Sequence, residues 1–216
     1  MFGELITFID ALKSVAIDFR SRQLSVERKE IISALLETYF YLKDATDEGE
    51  KLVEDAQPNP IEIIKSLNAL DAKARLAQWD NALRRQTSRL MRISDKVFGQ
   101  EFIDVVNPEL RENLYAVMGS KFERATSLHG IGASLFFRDW VWEDGSDEDK
   151  ARYISILAGE EEDLLQMDKI RSEIAELRGA MESYRIVVNE LTTSEEILKL
   201  SQAARNSTLF PNEHNA

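Results

Sequence analysis

The run from Met167 to Leu191 limits the fold more than any other part of this chain. Met167, Ile170, Ile174, Leu177, Met181, Tyr184, Val188 and Leu191 follow one another at alternating steps of three and four residues. A strand repeats every two residues, so only a helix gathers these side chains into one stripe. Arg171, Arg178 and Arg185 recur every seven residues beside it, where a coiled coil places its partner-facing charges. Leu76, Trp79, Leu83, Gln86, Leu90, Ile93 and Val97 form another seam of the same spacing with one polar member; in chain order it is the first seam, and Met167 to Leu191 is the second. The two seams predict an all-α fold, an elongated helical bundle of long amphipathic helices with coiled-coil-like packing. They leave two arrangements open. Either they pack within the chain, as antiparallel bundles do, or they face another chain.

The rest of the sequence also reads as helix. Leu5, Ile6, Ile9, Leu12, Ala16 and Phe19 set one face of a first helix over about 3–22. Ile32, Leu35, Tyr39, Leu42, Gly49 and Val53 set that of a second, which ends before Gln57-Pro58. Asn59-Pro60-Ile61-Glu62 signals the start of a third, with a cap, a preorganised proline and a carboxylate near the N-terminus, and a break falls near Asn68. Further helices are expected after Asn107-Pro108, from Ser120 and from about Asp147 to Leu191. Thr192 or Thr193 caps a last short one to about Arg205. With 216 residues, the expectation is a single helical domain over 1–205 and a flexible C-terminal tail over 206–216.

Composition narrows the chemistry. The chain has no cysteine, which removes disulfides, thiolate metal sites and cysteine nucleophiles together. His129 and His214 are the only histidines, and neither belongs to a metal-binding spacing. No phosphate-binding glycine loop is present, and Gly130-Ile131-Gly132 lacks the third glycine of a dinucleotide site. No metal and no cofactor are expected. Charged residues interrupt the apolar run of Met1 to Arg22, so no signal peptide or transmembrane segment is expected there, and the expected location is cytoplasmic. The net charge of −12 repels nucleic acid and anionic lipid on average.

Against that average, Arg85, Arg89, Arg92 and Lys96 form a basic stripe along one helix. Such a stripe either tracks a phosphate backbone or anionic surface, or is a solvated face or a surface paired with the acidic C-terminal half of the chain. The acidic clusters 143–149 and 160–163 lie where helices begin, which the helix dipole favours. The aromatic segment Leu135 to Trp142 reads as core.

Arg124-Ala125-Thr126-Ser127-Leu128-His129 resembles the Arg-x4-6-His motif of HEPN-type helical proteins, many of which are dimeric ribonucleases. The resemblance implies a metal-independent ribonuclease in which Arg124 stabilises the scissile phosphate and His129 moves a proton at the ribose 2′-OH. It covers six residues, and Ala125 departs from the polar residue usual after the arginine. The leading expectation is a non-enzymatic interaction protein, a scaffold, adaptor or regulatory subunit whose partner is another protein or its own copy. The ribonuclease is the alternative, and binding of nucleic acid or an anionic surface by the basic stripe is the lower one.

Overall fold

The computed structural model describes residues 2–21, 28–57, 60–98 and 167–209. Six α-helices occupy them: α1 (Phe2–Ser21), α2 (Arg28–Asp55), α3 (Pro60–Ser66), α4 (Ala69–Phe98), α5 (Met167–Asn189) and α6 (Ser194–Thr208). No strand occurs among the described residues, and the fold is all-α.

Local chemistry accounts for the helix ends. The last turn of α2 closes with bonds from Ala56 N–H to Leu52 C=O and from Gln57 N–H to Glu54 C=O, and Pro58, with no N–H, cannot extend it. The break expected near Asn68 separates α3 from α4. The Asn68 side chain accepts from the Asp71 N–H at 2.9 Å and donates to the Asp71 carboxylate at 2.8 Å, a reciprocal cap on α4. Thr193, in extended conformation, caps α6 by accepting from the Glu196 N–H. Helix α6 continues to Thr208, three residues beyond the expected end, and Thr208 is fully buried. The expected helices between 107 and 166 lie outside the described residues, as does the cap at Asn59.

The chain's contacts gather into two compact units. Of the described residues, the first holds 2–21, 28–47, 88–98 and 175–209. Its core joins α1 (Phe8, Ile9, Leu12, Val15), α2 (Ile32, Leu35, Leu42), α4 (Leu90, Ile93) and the second seam (Leu177, Met181, Tyr184, Val188, Leu191). Each such side chain contributes about 1.5–3 kcal/mol relative to leaving it in water. Helix α2 is the centre of this unit. Between Ile31 and Thr46 its buried arc, which includes Glu37 and Thr38, is wider than the one apolar face the sequence pattern marks, while Ser33, Tyr39, Phe40, Lys43 and Asp44 are half-buried.

Pairs of polar contacts fix directions within this unit. Arg92 and Lys96 step forward along α4 as Tyr41 and Glu37 step back along α2, so the two helices run antiparallel. Lys29 reaches Glu196 and Arg205 reaches Asp44, so α6 runs in the direction of α2.

The second unit holds 48–57, 60–87 and 167–174 of the described residues. Here Gln78 meets Asp55 and Arg85 meets Glu48, again antiparallel. Leu76, Trp79 and Gln86 of the first seam are buried. Gly49 permits the approach of Gln86: a Cβ at that position would lie 3.3 Å from the Gln86 amide nitrogen, a separation tight for a side chain inside a packed interior.

Candidate functional site

The second seam is occupied within the chain. Ile174, Leu177, Met181, Tyr184, Val188 and Leu191 are each at most 4% exposed; the Met167 and Ile170 side chains lie outside the described residues. The Tyr184 hydroxyl donates to the Leu35 carbonyl at 2.9 Å, which answers the polar atom that burial would otherwise leave unpaired. Burial pushes its pKa well above the usual tyrosine range. In the first seam Leu90 and Ile93 join the core of the first unit, Leu83 is half-buried, and the Val97 side chain lies outside the described residues.

The arginines flanking the second seam divide. Arg178 crosses to Asp47 of α2 at 2.9 Å, as a charge beside a helix seam does. Arg171 and Arg185 instead bind carboxylates of their own helix, Asp168 and Glu182. Burial raises the Asp47 carboxyl, but hydrogen bonds and charges from Lys43 and Arg178 outweigh it and hold the group below the usual carboxylate range.

The basic stripe meets α2. Arg85 bonds Glu48 at 2.5 Å, Arg92 reaches the Tyr41 hydroxyl at 3.5 Å, and Lys96 pairs with the buried Glu37 at 2.8 Å. Arg89 is buried at 4% exposure. The acids that meet the stripe, Glu48 and Glu37, belong to α2 and not to the acidic C-terminal half, and the side chains of Arg85 and Lys96 remain about half exposed.

Arg205 ties α6 to α2 twice over. It bonds Asp44 at 2.6 Å, and its guanidinium lies 5.5 Å from the centre of the Phe40 ring, within cation–π range. Phe40 in turn meets Tyr39 edge to face, with ring centres 5.4 Å apart.

Beside this aromatic pair is an open groove of about 450 Å³ formed by α2, α5 and α6. Leu36, Tyr39, Phe40 and Ile197 give it an apolar floor, and Arg185, Asn189 and Ser201 supply polar groups. Leu198 lies in its lining at 71% exposure, and Ile186 of α5 is 48% exposed. The sequence pattern missed this surface because Phe40 and Leu198 fall outside the seams; an adjacent aromatic pair at Tyr39-Phe40, only one member of which fits the helix face, is the signal that marks it.

Among the described residues no group of three or more His, Asp or Glu side chains is placed to hold a metal ion, and no helix is long and apolar enough to cross a membrane. Arg124 and His129 lie outside the described residues, together with the aromatic segment 135–142 and the acidic clusters 143–149 and 160–163. In comparisons with protein-family models, curated proteins and solved structures, the chain matches none.

Proposed function

We propose that this chain is a non-enzymatic helical interaction protein, a cytoplasmic scaffold, adaptor or regulatory subunit that takes a helix of another protein into the groove of α2, α5 and α6. The observation that carries the reading is the exposure of Leu198 beside the Tyr39–Phe40 pair. A large apolar side chain held in water gains from being covered, and a groove with an aromatic floor and polar groups at its margin suits an amphipathic helix. The seams support the same choice of surface by exclusion. Their described side chains are largely inside, so a partner meets other residues.

The test compares the wild-type chain with Leu198→Glu as bait in lysate of its native source. Leu198 is exposed, so the substitution leaves the thermal melt within about 0.5 kcal/mol of wild type. The expected result is a partner retained by wild type and weakened at least tenfold, about 1.4 kcal/mol, by Leu198→Glu. Equal retention by both baits, or none by either, overturns the proposal. Light scattering identifies the other occupant, a second copy of the chain, by a mass that doubles for wild type and falls for Leu198→Glu.

A further inference from the structure

No further inference is drawn: the strongest candidate, the open groove of α2, α5 and α6 floored by Tyr39 and Phe40, is the surface already proposed for a protein partner, and nothing in the structure shows what covers it.

Discussion

Tyr184 and Asp47 respond to pH in opposite directions. The folded state keeps Tyr184 protonated where an unfolded chain ionises it, so its contribution is complete below pH ~10 and is lost as pH rises beyond that value. Absorbance titration of the five tyrosines should show Tyr184 ionising only as the helices melt. Tyr184→Phe should cost about 1 kcal/mol at neutral pH through the lost bond to Leu35, and should remove one proton from the alkaline slope of stability. Ionisation of Tyr184 in the folded protein near the ordinary tyrosine value would contradict its burial. For Asp47 the folded pKa is lowered, so the stabilisation is present above the unfolded value and is lost as pH falls through the folded one. Asp47→Asn should cost about 0.5–1 kcal/mol at pH 7 and nothing once acid has protonated the carboxylate. A penalty that persists in acid strong enough to protonate the folded carboxylate would mean that Asp47 acts through packing and not through charge. Neither role was legible in the sequence. Spacing places Tyr184 on a seam, but its hydroxyl partner lies 149 positions away and depends on which helix packs opposite.

At the scale of the helix, ends were legible and cross-links were not. Asn68 and Thr193 act within three residues of themselves, and such short-range capping is written in sequence order. Three carboxylates of α2 in the first unit bind three different helices: Glu37 binds α4, Asp44 binds α6 and Asp47 binds α5. Their partners follow from the order of helices in space, which a periodic pattern does not encode. For the same reason the α2 partners of Arg85 and Lys96, Glu48 and Glu37, do not follow from the spacing of the basic stripe. Arg205→Ala should loosen α6 alone. Loss of the Asp44 bond and of the Phe40 contact removes about 1–2 kcal/mol of local anchoring, so hydrogen exchange in α6 should speed up roughly five- to thirtyfold while amides of α1 keep their protection. Unchanged exchange in α6 would show that Ile197, Leu200 and Ala204, which pack on the core, hold the helix without the arginine. A Lys at this position should restore only part of the protection, because it lacks the planar fork of arginine.

For the molecule as a whole, the fold class was legible because two seams of three-and-four spacing fit only helices. What the seams face was not, because helices of one bundle and helices of two chains use the same knobs and holes. The structure places Leu90, Ile93, Leu177, Met181, Tyr184, Val188 and Leu191 together in one core with α1 and α2, so those parts of the seams close a core within the chain. Leu177→Ala, at 1% exposure, should then cost about 2–5 kcal/mol whether or not a partner is present. The groove of α2, α5 and α6 was not legible, since it arises where three helices meet and not along any one of them. The most direct measurement of this account is the urea midpoint of the purified chain over a hundredfold range of protein concentration. A core closed within the chain gives one midpoint at every concentration. If the seams instead join two chains, folding is linked to association by mass action and the midpoint rises as the protein is concentrated, which would contradict the account.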